Sequence, residues 1–481
     1  MDFLELYFIG SVLIALLMYL VKGRKLDYLL FIPFLGLQIY FTYRSWFSMN
    51  QVLDEYFSVD ALSMIFLILN TVVAVPTVIH AFLSAERKHD SRRAVSIHNA
   101  ALVLFIVAMT GVLISSHVGL LWAFAEATTL TSAALIYHDR NLVALEATWK
   151  YVFVASIGIA FAFLGILFLG IATQDAQSPD LSLVALAKSV NAMESTWLKM
   201  SFLFIVAGFS VKIGTVPLFT VEIDAKDAAP SAIGALFSGG LLNVGFVAIF
   251  RFYEVFSHTE IHAWMNKVLM ITGLTSVFFA AVYLLSVKNF KRMFAYSSLE
   301  HAGLVLIAVS AGGVGYFAAI FHLIAHSLIK ASLFFQIGQV QQTFRHKNVE
   351  RTGNYLRINP WGGAALLVGF VGILALPPSG LFISEVLTFK ALITGDHWLV
   401  MGLLAFLLTF ILYGMGSSLL QVLFKPLPAE ELTSIERISA WESVPEWILL
   451  LGALTLGLYP PPALNNLIQT AVAHLPNVVK L

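Results

Sequence analysis

The sequence predicts an all-α, polytopic membrane protein of about fourteen transmembrane helices, and three observations carry that prediction. Of 481 residues, 59% are hydrophobic and only 12% are charged, with a mean hydropathy of +0.85. Soluble globular chains carry roughly 25% charge and roughly 45–50% apolar residues, so the excess here needs lipid as its solvent. Apolar windows recur along the whole chain, each near the roughly 20 residues that cross a hydrocarbon core. The 28 basic and 28 acidic residues balance to zero and fall mostly between those windows. The remaining residues suffice for connections only, so 1–481 reads as one membrane domain without a water-soluble catalytic module.

The windows fall into groups. Those near 3–21, 26–47 and 58–83 make an N-terminal set within 1–95. Asp60 opens the third as a helix-start acid. Windows near 96–115, 117–137, 146–172, 198–222 and 231–253 form a first five-helix unit over 96–253. Windows near 264–287, 294–311, 314–340, 361–394 and 397–424 form a second over 264–424. A connection and a fourteenth window near 444–462 complete 425–481. The N-terminus lacks the basic flank and cleavage site of a removable signal, so its first apolar stretch is expected to be a permanent span.

Two windows are interrupted, the seventh at KIGTVPLF (212–219) and the twelfth at ALPPSGLF (375–382). Proline and glycine prevent continuous helical hydrogen bonding there. An ordinary proline kink explains either break alone. Together, 160 residues apart from Pro217 to Pro377, they point to two inverted repeats, spans 4–8 and 9–13, because unwound backbone is tolerated in a membrane where it lines a cavity.

Orientation follows from the basic residues, which favour cytoplasmic loops. Odd-numbered connections carry eighteen Lys and Arg, Lys226 and Lys291 among them, and the other side carries six, including Arg251. Both termini are therefore expected on the non-cytoplasmic side. Four lysines remain inside apolar windows: Lys150, Lys212, Lys330 and Lys390.

A charge at mid-bilayer costs about 2.5–3.5 kcal/mol even on the lenient insertion scale, so such groups pair or face internal water. Glu126 and Lys212 sit deep in their windows, and a structural ion pair or a snorkelling lysine is the plainer alternative to a transport role. His322, His326 and Lys330 recur at i, i+4 and i+8, one helical face of groups able to exchange protons. Packed core histidines remain an alternative that does not explain Lys330. A zinc site is disfavoured for want of a further ligand at suitable spacing. Glu385 follows the twelfth-span break, as a relay or as a simple helix cap. Glu146 and Lys150 stand one turn apart, a structural pair or auxiliary relay members; Lys390 is expected to snorkel.

Cysteine is absent, which excludes thiolate-bound iron–sulfur clusters and disulfides from this chain. No G-x-G-x-x-G opens a βαβ unit, so no dinucleotide site is expected. No cofactor or metal is assigned, and zero net charge argues against nucleic acid. The lipid bilayer is the one partner the residues themselves require.

In this order, Glu126, Lys212 with Pro217, D-A-x-x-x-A-P (Asp224 to Pro230), FKRMFAYSSLEHAGL (290–304), His322/His326/Lys330 and Glu385 resemble the antiporter-like membrane subunits shared by respiratory complex I, multisubunit Na+/H+ antiporters and membrane-bound hydrogenases. The pieces HVGLLWAFAEATTLTSAALIYH (117–138) and LEATWKY (145–151) most closely resemble the hydrogenase-4 F-type subunit. The resemblance implies a proton-translocating subunit of a redox-driven complex in the cell inner membrane, with other membrane subunits and a peripheral redox arm as partners. It implies Glu126 as ion-pair partner of Lys212, the His322/His326/Lys330 face as a central hydrophilic axis, and Glu385 as a terminal relay. A cation/proton antiporter subunit, the membrane partner of an inorganic-carbon uptake protein and a purely structural subunit are the alternatives. The chain departs from the family pattern at Phe219, Val221 and Ile223. It departs again at Asn243, where many members carry a lysine; an amide cannot relay protons, so the link from Lys212 to Lys330 is expected to need water there.

Overall fold

The computed structural model describes residues 2–20, 24–85, 91–175, 180–427 and 438–479, and it is 83% helix. The helices are α1 (Phe3–Leu20), α2 (Arg24–Phe47), α3 (Ala61–Ala85), α4 (Arg92–Ile114), α5 (Val118–Ile136), α6 (Leu142–Asp175), α7 (Leu183–Ser189), α8 (Ser195–Ile213), α9 (Thr220–Ala228), α10 (Ser231–Leu236) and α11 (Leu242–Phe256). They continue as α12 (His262–Leu284), α13 (Phe290–Ala311), α14 (Val314–Phe344), α15 (Tyr355–Ile358), α16 (Pro360–Ile373), α17 (Gly380–Thr394), α18 (Trp398–Phe424), α19 (Val444–Leu458) and α20 (Pro462–Val472). One feature outside the all-helical expectation is a short antiparallel hairpin, β1 (Gln51–Asp54) with β2 (Phe57–Val59), between α2 and α3.

Among the described residues, eleven helices are long and apolar enough to cross a membrane, or twelve when the bent pair formed by Ala440–Leu458 and Pro462–Val472, at 77°, counts as one span. This is a smaller number than the fourteen windows. The twelfth window divides at its break into α16 and α17, each too short to span alone, and α2 does not meet the same standard.

Helices must satisfy their own backbone groups in lipid, and sequence then decides which ones sit at the centre. The spans Ser231–Phe256, α13 and α14 are fully buried in their most apolar windows, whereas only 33% of the α1 and α18 windows is buried. The first group forms the middle of the molecule and the second its lipid-facing rim. Small residues permit the closest approaches. Gly208 of α8 lies so near α6 that a Cβ there would come within 2.4 Å of the Ala162 backbone nitrogen. Between α10 and α11 the chain passes through a π-helical segment, Phe237–Leu241.

Both interruptions foreseen at the prolines are present. The α8 helix ends at Gly214 in the left-handed region, φ 77°, and an irregular stretch through Pro217 leads to α9. After α16, Ala375 adopts φ 49°, and Pro377 and Pro378 precede the restart at α17. Ser379 caps that restart: its Oγ accepts from the Leu381 N–H at 3.1 Å and donates to the Gly372 carbonyl at 3.0 Å. Capping therefore belongs to Ser379, and the cap reading of Glu385 is set aside.

Candidate proton-relay site

Lys212 is the last polar group of α8 before the break, and its side chain is completely buried. Its Nζ donates to the Thr128 Oγ1 at 2.8 Å and the Thr129 Oγ1 at 2.7 Å, both on α5, and lies 5.8 Å from the centroid of the Tyr151 ring. Glu126, on the same turn of α5, accepts instead from the Ser156 hydroxyl at 3.1 Å, and its other oxygen has no hydrogen-bond partner among the described residues. Lys212 and Glu126 thus have separate partners and form no contact ion pair among the described residues. The expected direct pairing is corrected to a Lys212 ammonium held by two threonine hydroxyls. Two neutral acceptors hold the Lys212 Nζ, while the Glu126 carboxylate is bonded to Ser156.

Beyond the break, α9 carries two groups the sequence reading did not single out. Glu222 and Lys226, four residues apart, form an ion pair of 2.7 Å with side chains 2% and 0% exposed. The sequence places Lys226 in the cytoplasmic connection between the windows 198–222 and 231–253; burial in the second half-helix corrects that. Lys291, another assigned loop residue, is buried with its Nζ donating to the Ala229 carbonyl at 2.7 Å. Arg251 is likewise no loop residue. It clamps α11 to the start of α3 through Asp60, donating to Oδ1 at 2.7 Å, with Ser63 and Glu254 as further acceptors. Asp60 also accepts from the Ser63 N–H at 2.8 Å as a helix-start acid.

The position of α9 is fixed at its far end by Arg292–Asp224 at 2.8 Å and Lys347–Asp227 at 2.9 Å. The first of these joins two of the motif blocks on which the family resemblance rests, 224–230 and 290–304. A cavity of about 210 Å³, whose lining includes His80, His98, His138, Lys291 and Gln342, reaches Ala228 and Pro230 at the same end.

On α14, His322, His326 and Lys330 are all buried on successive turns. The Lys330 Nζ donates to the Phe294 carbonyl of α13 at 2.6 Å. The His322 ring is bridged on both sides, with Nε2 3.0 Å from the His301 Nδ1 and Nδ1 2.9 Å from the Ser384 Oγ of α17. His326 lies against His301, ring centroids 5.0 Å apart, and neither of its nitrogens has a hydrogen-bond partner among the described residues. Glu385 reaches the same place from α17. One ligand-capable atom from each of Glu300, His301 and Glu385 falls within 4.8 Å of the others. Sequence spacing hid this grouping because the three come from two helices. Two carboxyls and an imidazole could hold a cation, and they are equally the set that passes a proton along.

Glu300 and His301 are the functional candidates sequence reasoning missed on α13. Their signal was available: two adjacent ionisable residues inside an apolar window, in SLEHAGL (298–304). Two groups fall off the buried line. Lys150 and Glu146 pair at 2.5 Å with side chains 50% and 65% exposed, and Lys390 is exposed. Asn243 is buried, its amide donating to the Gly239 carbonyl at 2.8 Å and the Ser327 Oγ at 2.9 Å.

A multi-pass helical membrane protein whose two broken helices flank a buried row of lysines, histidines and carboxyls is the class this architecture defines. The family described as NADH:quinone oxidoreductase/Mrp antiporter, transmembrane, matches residues 115–412, and the chain belongs to that family. It is 31% identical over 345 residues to a hydrogenase-4 component F homolog of Methylacidiphilum infernorum, covering 70% of this chain and 72% of that one. Among solved structures, a chain of the membrane-bound sulfane sulfur reductase, an archaeal respiratory membrane complex, superposes with a TM-score of 0.87 at 22% identity, covering 98% of both chains. A chain of the Mrp complex from Dietzia sp. gives a TM-score of 0.86 at 18% identity, covering 98% of this chain and 97% of that one. The antiporter-like fold therefore extends over nearly the whole chain.

Proposed function

We propose that this chain is the proton-translocating membrane subunit of a redox-driven, hydrogenase-4-like or quinone-reductase-like complex, carrying protons along Glu126, Lys212, Lys330, His326, His322 and Glu385. The observation that carries the reading is that ionisable side chains of α8, α9, α13 and α14 lie buried, with Glu126 of α5 and Glu385 of α17 partly buried, on both sides of two helix breaks. Buried charge is expensive in a membrane and marks ion pathways. Lys212 sits between two hydroxyls and a nearby carboxyl, so movement of Glu126 toward or away from it changes its hold on a proton. The cavity at the end of α9 serves as the entry, and Glu385 with Glu300 and His301 as the exit relay.

With α2, the α16/α17 pair and the α19/α20 pair each counted as one crossing, the spans number fourteen. We read 96–253 and 264–424 as inverted repeats, each with its break in the fourth span, after 1–95 and before 425–481. The chain sits in the cell inner membrane. Both termini are placed on the non-cytoplasmic side, since the basic asymmetry of the connections survives removal of Lys226, Lys291 and Arg251. Other membrane subunits and a peripheral redox arm complete the complex and supply the electron chemistry.

Two measurements test this together. Purification through a tag on this chain should bring down hydrogenase or quinone-reductase subunits; small antiporter subunits alone, or a large soluble zinc protein, would redirect the reading. In vesicles holding the purified complex, Glu126→Gln and Lys212→Met should each abolish substrate-driven acidification while assembly persists. Undiminished acidification in both would leave the chain a scaffold.

A further inference from the structure

We infer that the Glu222–Lys226 ion pair of α9 is the proton-carrying bridge between Lys212 and Lys330, filling the gap that Asn243 leaves. This rests on the proposed proton path and adds two residues to it.

Four observations support the bridge. The pair stands next to the first break: the Glu222 carboxylate packs directly over Gly214, where a Cβ would come within 1.8 Å of the Glu222 Oε2, two residues beyond Lys212. The pair also stands between the two ends of the gap: α9 packs against α8, which carries Lys212, and against α13, whose Phe294 carbonyl accepts from the Lys330 Nζ. The alternative link is closed, because both amide donations of Asn243 go to the Gly239 carbonyl and Ser327, and an amide holds no exchangeable charge.

The fourth observation is how little else the pair touches. Neither the Glu222 Oε1 nor the Lys226 Nζ makes a hydrogen bond to any other group among the described residues. A buried ion pair kept for structure needs further hydrogen bonds to offset desolvation. The same molecule shows what that looks like in Arg251–Asp60, which is doubly bonded and further satisfied by Ser63 and Glu254. The contrast separates a clamp from a pair whose proton can move.

The transfer balances without a co-reactant. Lys212 ammonium loses one N–H proton to the Glu222 carboxylate, leaving an amine and a carboxylic acid. Lys226, deprived of its counter-charge, passes a proton to the neutral Lys330 amine. The Glu222 acid then returns its proton across 2.7 Å to Lys226, restoring the pair. One proton has gone from Lys212 to Lys330.

The test uses the purified complex in sealed vesicles, with acidification followed by an entrapped pH dye and substrate turnover recorded in parallel. The double variant E222Q/K226M removes both charges at once and so leaves no buried charge unpaired. It should assemble normally and lower proton flux per turnover by about a hundredfold or more, the scale of losing a positioned acid–base step. K226H, which keeps a titratable nitrogen, should regain flux, and N243K placed in the double variant should regain it from α11. Normal flux in E222Q/K226M, or failure of both rescues in assembled protein, overturns the bridge. Lys212→Met and Lys330→Met run alongside: if they too leave flux intact, the proton-path reading itself has failed. If they abolish it while E222Q/K226M does not, the bridge alone is wrong.

Discussion

Replacing Gly214 by alanine probes the first break without altering any titratable group. Gly214 ends α8 at φ 77°, a conformation that costs an L residue about 1–2 kcal/mol. The new Cβ would also lie 1.8 Å from the Glu222 Oε2, where real contacts do not fall under 3.0 Å. The carboxylate must then retreat by about 1.2 Å, or the backbone must yield, an overpacking that adds about 1–3 kcal/mol. The two effects together predict a loss of about 2–5 kcal/mol. A retreat on that scale also stretches the 2.7 Å contact between Glu222 and Lys226. Thermal unfolding of the purified complex reads the first consequence, and proton flux below the unfolding temperature reads the second. Gly170→Ala is the matched control, since nothing lies within 4 Å of a Cβ there. If Gly214→Ala matched Gly170→Ala in both readouts, the packing of Glu222 against the break would be wrong.

Three further outcomes follow. Arg251→Ala leaves Asp60 and Glu254 without their shared cation, and removing one partner of a largely buried network costs about 3–5 kcal/mol; a sharply lower yield of assembled protein checks it, and Arg251→Lys should recover part of it. Ser379→Ala removes the cap of α17 and should cost about 1 kcal/mol, read as a modest drop in unfolding midpoint. The pH dependence has two limbs. His474, outside the spans and half exposed, has its pKa raised by its bond to Glu254 at 3.3 Å, against the opposing effect of burial. Its contribution is complete below the unfolded value of roughly 6.5 and disappears as pH rises through the raised value, so His474→Ala should flatten that alkaline loss. Burial pushes Asp60 up, but the Arg251 charge and the hydrogen bonds from Arg251 and Ser63 outweigh it and hold the carboxyl well below its usual range. Its contribution is present above roughly pH 3.9 and falls away in stronger acid; Asp60→Asn should remove that limb from unfolding measured against pH.

Much of the architecture was legible because lipid imposes a simple rule. An apolar run of sufficient length must be helical, and Pro217 and Pro377, each with glycine close by, mark breaks, whereas Pro33 and Pro76 sit inside the continuous helices α2 and α3. His322, His326 and Lys330 were visible as a group because one helix sets their spacing. Contacts between helices were not legible. Nothing in the sequence distinguishes Thr128 and Thr129 from Glu126 as partners of Lys212, since all three sit within one turn of α5. Nor does spacing bring Glu300, His301 and Glu385 together across α13 and α17. Lys226 was misplaced for a different reason: charge-rich composition looks like a loop, and only the fold shows that DAKDAAP carries a half-helix pinned inside by Arg292 and Lys347. The hairpin after α2 escaped notice because its strands, QVLD and FSV, are too short to show an alternating pattern.

The central claim is that protons cross this protein along buried side chains from Lys212 to Glu385. Simultaneous recording of substrate turnover and proton movement in vesicles containing Lys330→Ala tests it most directly, because Lys330 lies midway and touches no redox centre. The account predicts turnover without this chain's proton movement, in fully assembled complex. Proton movement per turnover equal to that of the unaltered protein would contradict it.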